Sequence, residues 1–192
     1  MIRAGRMLGR ALTAQLSAPL FALTLAFIPT TVTAQPACLP LGGQIALCPD
    51  AGSLWAGASQ IPVTDEDGVT AYEAPPYYLE ASLNWLDPAE ASTLDAGLSQ
   101  LEADLTEEAL DDGDAAPVRR FRDTLTTEHA TVALDVFIEF FDGDPQSLAV
   151  LLLADGDDWL TLFLAGEDVE DEDGFAETAR DLARLLRPAP ED

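Results

Sequence analysis

Cys38 and Cys48 are the only cysteines in the chain, and their spacing gives the most direct indication of chemistry. Nine residues separate them, and Gly42-Gly43 lies between them as a turn. A disulfide that closes this small loop is the favoured interpretation. The spacing differs from the Cys-x-x-Cys pattern of redox-active thiols, and no second pair of ligands stands nearby for a metal. The sequence therefore predicts a structural disulfide.

His129 is the only histidine, and it follows Glu128 just before a predicted strand. General-base catalysis needs a positioned partner and a substrate pocket, and a lone histidine in a turn predicts neither. The sequence also contains no Gly-x-Ser-x-Gly nucleophile motif. Carboxylates are so numerous that no pair of them stands out. We therefore predict no catalytic residue, no metal and no cofactor, with a carboxylate-based hydrolase as the least favoured alternative.

The acidic run 167–173 carries the oxygen ligands that Ca²⁺ prefers. Aligned with an EF-hand loop, Asp171 and Asp173 fall on ligand positions 3 and 5. Positions 1 and 12 need acids but are valine and arginine, so the motif fails at both ends. A weak cation loop at Glu170, Asp171 and Asp173 stays open beside the simpler interpretation of a solvated acidic loop.

Arg119, Arg120 and Arg122 form a basic cluster in a strongly acidic chain. One interpretation is internal, because these arginines can neutralise acids on a neighbouring helix. The other is a contact with an anion or a partner protein, since the guanidinium group binds carboxylates through paired hydrogen bonds.

The charge of the chain excludes whole classes of partner. There are 35 acidic residues and nine basic ones, all arginine, which gives a net charge of −26. Phosphates would be repelled, so we predict no nucleic-acid binding, and anionic membrane surfaces are disfavoured for the same reason. Solvation explains most acidic surfaces. Attraction of a cationic partner or of divalent cations is the alternative.

The first 34 residues have the pattern of a secretory signal peptide. Three arginines precede a short apolar run at 16–28, and Val32-Thr33-Ala34 offers small residues for cleavage before Gln35. Cleavage would change the net charge from −26 to −29. We predict export to the periplasm or the medium, without membrane insertion of the mature chain. The predicted segments are a signal peptide (1–34), an N-terminal extension with the disulfide (35–57), a single domain (58–187) and a tail (188–192).

Alternation of apolar and polar residues predicts the strands that must position these groups. The pattern is clearest where Leu79, Ala81, Leu83 and Trp85 share one face. Strands are predicted at 59–63, 69–73, 77–85, 132–141, 147–154 and 159–164, and an extended edge segment within 115–129.

Two apolar stripes with helical spacing predict two amphipathic helices. The first helix is predicted to be capped by Asp87 and to end at 111–114, with leucines at offsets 0, 4, 7 and 11 from Leu94. The second stripe runs from Phe175 to Leu186, and Pro188 is predicted to end that helix.

The order of strands, helix, antiparallel meander and helix predicts an α+β domain of two layers, with both helices packed on one antiparallel sheet. The C-terminal hairpin strand WLTLFLAGED and the helix FAETARDLARLL complete this order. In these elements the chain resembles the PsbP-like α/β sandwich family over roughly residues 52–187. The resemblance implies accessory, binding or assembly roles.

The sequence therefore predicts an exported accessory or protein-binding domain of the cell envelope, whose partner it does not identify. A binder of a small ligand or divalent cation, using a cleft between sheet and helix, is the alternative. The aromatic residues near the N-terminus fit either core packing or a binding face, and they are Trp55, Tyr72, Tyr77 and Tyr78.

Overall fold

The structure, a computed structural model, describes residues 37–63, 68–83, 85–86, 91–141, 143–166 and 171–190. The predicted signal peptide, the predicted helix cap Asp87 and Glu170 of the acidic run lie outside these ranges. No helix within them is both long enough and apolar enough to cross a membrane.

Seven antiparallel strands form the main sheet. They are β3 (Ser59–Ile61), β4 (Val69–Ala74), β5 (Tyr77–Ser82), β6 (Val118–Thr126), β7 (Thr131–Phe141), β8 (Asp144–Asp155) and β9 (Asp158–Gly166). Their order across the sheet is β3-β4-β5-β9-β8-β7-β6. The predicted meander is confirmed, and the extended segment predicted within 115–129 is the edge strand β6. Strand β5 ends at Ser82, three residues before the predicted end.

Helix α1 (Leu94–Asp112) begins later than predicted. The Thr93 hydroxyl accepts a hydrogen bond from the backbone N–H of Ala96 at 3.1 Å, which satisfies one of the free donors of the first turn. The predicted cap at Asp87 is therefore wrong. The predicted end is confirmed, because Gly113 follows the helix with a φ of 87°, a conformation that glycine adopts without strain.

Helix α2 (Glu172–Arg184) ends earlier than its apolar stripe predicts. The apolar spacing predicts that Leu186 continues the stripe and that Pro188 ends the helix. Instead Leu186–Pro188 forms strand β10, which pairs with Ile45–Leu47. Backbone pairing with a distant segment of the chain decides this boundary, and periodicity within the helix carries no information about it.

The N-terminal segment forms a second, small sheet. Its strands are β1 (Leu39–Pro40), β2 (Ile45–Leu47) and β10, in the order β1-β2-β10. The Cys38–Cys48 disulfide is formed and flanks the first two strands. A short 3-10 helix follows at Leu54–Gly57. Residues of this segment reach the core, since Leu41 and Leu47 have no exposed surface and Trp55 is buried.

The two helices lie on opposite faces of the main sheet. Alternate residues of β8 show this: Val150 and Leu152 belong to the apolar cluster of α1, whereas Leu151 and Leu153 belong to that of α2. Helix α1 lies close to the sheet at Gly97, where a Cβ atom would lie 2.5 Å from Leu152 Cδ2. The α+β class and the order of elements are confirmed, but the layers number three rather than two. The small sheet shares the α2 side.

Candidate functional site

Arg122 of β6 connects its own strand with β7 and with α1. Its Nε and Nη2 atoms donate to the two carboxylate oxygens of Asp135 on β7, at 2.7 and 2.6 Å, and Asp135 has no exposed surface. Its Nη1 atom donates to Asp95 and Ser99 of α1 at 2.9 and 3.1 Å. The hydrogen bonds from Arg122 to Asp135 raise the pKa of the guanidinium further above its ordinary range. This cluster fixes α1 to the edge of the sheet.

The other two arginines of the predicted basic cluster also contact acids on the helices. Arg119 pairs with Glu102 of α1, and Arg120 pairs with Glu172 of α2 at 3.2 Å. The register of β6 shifts at a β-bulge between Arg119 and Phe121, and around this irregularity one strand supplies a cation to each helix. The structure thus shows the internal pairing, and the contact of these arginines with an external anion or partner stays a prediction.

The acidic residues before α2 have a local structural role. The Asp171 carboxylate accepts a hydrogen bond from the backbone N–H of Gly174 at 3.1 Å and caps the helix. Asp173 is exposed in the first turn. A weak cation loop at these residues stays a prediction.

Among the described residues, no three histidine, cysteine or acidic side chains are grouped to hold a metal ion. His129 is exposed in the turn between β6 and β7.

A groove of about 200 Å³ lies beside α1, on the part of the sheet that extends past the helix. Helix α1 packs on β7 and β8. Strands β9 and β5 follow β8 in the sheet, so the face that α1 covers extends past the helix onto these two strands. Phe163 of β9 and Leu148 of β8 line the groove, and Leu105 lines it from the helix. The Trp85 ring packs against Phe163 with centroids 5.0 Å apart and is 43% exposed. The groove is therefore apolar along these side chains and aromatic on the side away from α1.

Three carboxylates also line this groove, and each comes from a different element. Glu80 lies on β5, Glu108 on α1 and Glu139 on β7. The hydroxyl of Tyr78 donates to Glu80 Oε2 at 3.0 Å. In the part of the chain that the structure describes, the arginines pair with other acids and not with these three. The groove therefore combines aromatic surface with carboxylates that none of the arginines in the described ranges pairs with.

Glu139 is a half-buried carboxylate of the groove. Burial raises the pKa of its carboxyl above the ordinary range, and the negative charges of Glu108 and Asp114 raise it further. A raised pKa means that the folded protein holds the ionised form of Glu139 at a cost.

Replacing Glu139 with glutamine should therefore stabilise the protein at neutral pH. The wild-type protein loses stability relative to Glu139→Gln as the pH rises from the ordinary glutamate range through the raised pKa of Glu139. We expect the variant to melt a few degrees higher at pH 7.5 and the difference to disappear below about pH 4, where both side chains are neutral. Thermal unfolding at the two pH values measures this. Glu128→Gln, an exposed glutamate in the β6–β7 turn, is the control and should show no gain; an equal gain there would contradict the explanation.

The sequence pattern placed Trp85 on the wrong face of the sheet. Alternation assigned it to the face of Leu79 and Ala81, which is the α2 side. Because β5 ends at Ser82, Trp85 contacts Phe163 on the α1 side instead. The Asp-Pro pair that follows Trp85 in the sequence was a signal that the strand, and with it the alternation, ends here.

The aromatic residues that the sequence singled out belong mostly to the core. Trp55 and Tyr72 are buried. Tyr77 packs on Phe175 of α2, with ring centroids 6.1 Å apart. Tyr78 alone lines the groove. The core interpretation is thus correct for three of the four, and the exposed aromatic side chain of the groove is Trp85.

Comparison with known proteins identifies the fold. No protein-family model matches the chain, and no curated protein sequence matches it. The solution structure of cyanobacterial PsbP from Synechocystis sp. PCC 6803 matches with a TM-score of 0.58 and 8% identity, over 82% of this chain and 95% of that one. The chain therefore has the PsbP-like fold, as its element order predicted. At this identity the likeness concerns the fold alone.

Two weaker structural matches come from other bacteria. A protein of unknown function from Pseudomonas aeruginosa matches with a TM-score of 0.42 and 12% identity, over 70% of this chain and 83% of that one. LpqN, involved in cell envelope biogenesis of Mycobacterium tuberculosis, matches with a TM-score of 0.34 and 14% identity, over 79% and 82%.

Proposed function

We propose that this protein is an exported, non-catalytic accessory domain that binds another protein of the cell envelope. The binding surface is the groove face, which we define as Trp85, Phe163 and the carboxylates of Glu80, Glu108 and Glu139. The observation that carries the proposal is the exposure of Trp85 beside this groove. Tryptophan is enriched where proteins bind each other, because a large amphipathic ring buries much apolar area at little entropic cost.

The disulfide and the fold support the rest of the proposal. Disulfides such as Cys38–Cys48 persist in oxidising compartments, which fits the export that the N-terminal sequence predicts. The PsbP-like fold fits the accessory or assembly role that the resemblance implied.

The size of the groove favours a protein partner over a small ligand. Pockets that enclose drug-sized molecules have volumes of roughly 300–1,000 Å³. The groove beside Trp85 has about 200 Å³, which is enough for one long side chain. A side chain that projects from a partner surface would occupy it while the surrounding surfaces contact each other.

Site-specific photo-crosslinking in the native host tests the proposal. A benzophenone amino acid replaces Trp85 in the full-length chain, and in a second strain it replaces Leu54 of the 3-10 helix. Leu54 is the matched control, because it is 42% exposed and its neighbour Trp55 belongs to the cluster on the α2 side of the sheet. We expect a discrete protein adduct from position 85 and none from position 54. Equal adducts from both positions, or none from position 85, would overturn the proposal.

A further inference from the structure

We propose that the groove beside α1 receives one arginine side chain of the partner protein, with its guanidinium between Trp85 and the three groove carboxylates. This inference rests on the proposed function, because it specifies what the partner presents to the groove face.

The charge of the groove argues for a cationic occupant. Glu80, Glu108 and Glu139 surround one small volume, and like charges held close together repel each other. On the other side of α1, by contrast, a carboxylate does have internal cations: Glu102 forms ion pairs with Arg119 and Arg122. A cation entering the groove would supply the missing compensation. Burial raises the pKa of Glu139 and the negative charges of Glu108 and Asp114 raise it further, so a cation beside this carboxylate would favour its ionised form.

The aromatic side of the groove argues that the cation is organic. A bare or hydrated metal ion gains nothing from apolar carbon, whereas Phe163, Leu148 and Leu105 provide a surface for the methylene groups of a long side chain. Trp85 is the best of the aromatic side chains for attracting a cation to its ring face. The chain uses the same interaction internally, where the Arg180 guanidinium lies 4.6 Å from the centroid of the Phe121 ring.

Arginine suits this groove better than lysine. Its guanidinium is planar, so it stacks on an aromatic ring while its N–H groups donate to carboxylates at the edge. It is also more weakly hydrated than an ammonium group, and a groove with apolar sides removes water from its occupant. The three carboxylates lie on separate elements and so approach the groove from different sides. The N–H groups of a guanidinium also point in several directions, so one arginine can donate to more than one of them.

Titration of the full chain with N-acetyl-arginine amide tests the inference, with the Trp85 indole N–H resonance as the readout. The resonance is assigned by Trp85→Phe. We expect saturable shifts at millimolar concentration, much smaller shifts with the lysine amide, and none with the neutral citrulline amide. The variant Glu80→Gln, Glu108→Gln, Glu139→Gln should weaken arginine binding at least about tenfold, which corresponds to the loss of one charge-assisted contact.

A control variant separates a specific site from general attraction to an acidic protein. Glu128→Gln, Asp157→Asn, Asp173→Asn removes the same charge from exposed positions in two turns and in the first turn of α2. This variant should bind like the wild-type protein, and thermal unfolding should show both triple variants folded. Equal weakening in both variants, equal binding of citrulline, or equal binding of lysine would overturn the inference. A specific adduct at position 85 together with any of these results would leave the proposed function standing.

Discussion

Replacing Arg122 with methionine should lower the free energy of unfolding by about 3–5 kcal/mol, the cost of leaving a buried charge without its partner. Asp135 has no exposed surface, and both of its oxygens accept hydrogen bonds from Arg122. Methionine keeps most of the apolar stem but offers no donor. The contacts of Arg122 with Asp95 and Ser99 would be lost as well, so α1 would be held less firmly. Denaturant unfolding measures the effect.

Arg120→Met is the matched control, because it makes the same change two residues away on the same strand. Arg120 is half exposed and pairs with an equally exposed Glu172, and such surface pairs contribute about 0–1 kcal/mol. Adding Asp135→Val to Arg122→Met should recover much of the loss, since two apolar side chains can replace a buried ion pair. If Arg122→Met lowered the free energy of unfolding no more than Arg120→Met does, the buried pair of Arg122 and Asp135 would not explain the loss.

The strands and both helices could be predicted because each carries a local repeat. The alternation in β7 and the near-continuous apolar run in β8 follow from contacts within the sheet, and the stripe of α1 follows from one buried face. The boundaries that failed depend on distant residues. Leu186 leaves α2 to pair with Leu47, a residue far away in the sequence. The placement of the helices on opposite faces could not be predicted either, because a stripe does not say which side of a sheet it covers.

The candidate site was harder to predict than the fold. The arginine cluster was visible in the sequence because three arginines stand close together in an acidic chain. The groove was not, since Glu80, Glu108 and Glu139 lie on separate elements and none is unusual among 35 acidic residues. Only the register of the sheet and the position of α1 bring them together. Abundance of a residue type thus hides a local cluster that the fold creates.

The distribution of the arginines divides the acidic residues into those that pair with an arginine and those that do not. Five of the six arginines that the structure describes pair with carboxylates, all of them on β6 or α2. Arg187 donates to backbone carbonyls instead. Arginines therefore pair with acids at the β6 edge and along α2, whereas none of the described arginines pairs with the carboxylates of the groove. Solvation accounts for acids dispersed over a surface. It does not account for three that share a groove with a half-exposed tryptophan.

Removing the disulfide, by Cys38→Ala with Cys48→Ala, should lower the free energy of unfolding by about 2–3 kcal/mol. The bond joins residues ten apart, and closing a loop of this length restricts the unfolded chain by about that amount. Denaturant unfolding of the variant and of the wild-type protein measures the difference. Reductant should bring the wild-type protein to the stability of the variant and leave the variant unchanged.

The structure also predicts which strands should be destabilised first when the disulfide is removed. The loop between β1 and β2 is tied to the main sheet, because the backbone N–H of Gln44 donates to both carboxylate oxygens of Asp155 at 3.0 and 2.9 Å. The hydroxyl of Tyr72 donates to the carbonyl of Pro40 at 2.6 Å. Amide hydrogen exchange should therefore accelerate first in β2 and β10, whose backbone bonds depend on this segment, and later in β8. Uniform acceleration across the main sheet would contradict this order, and two free thiols in the unreduced, denatured protein would contradict the disulfide itself.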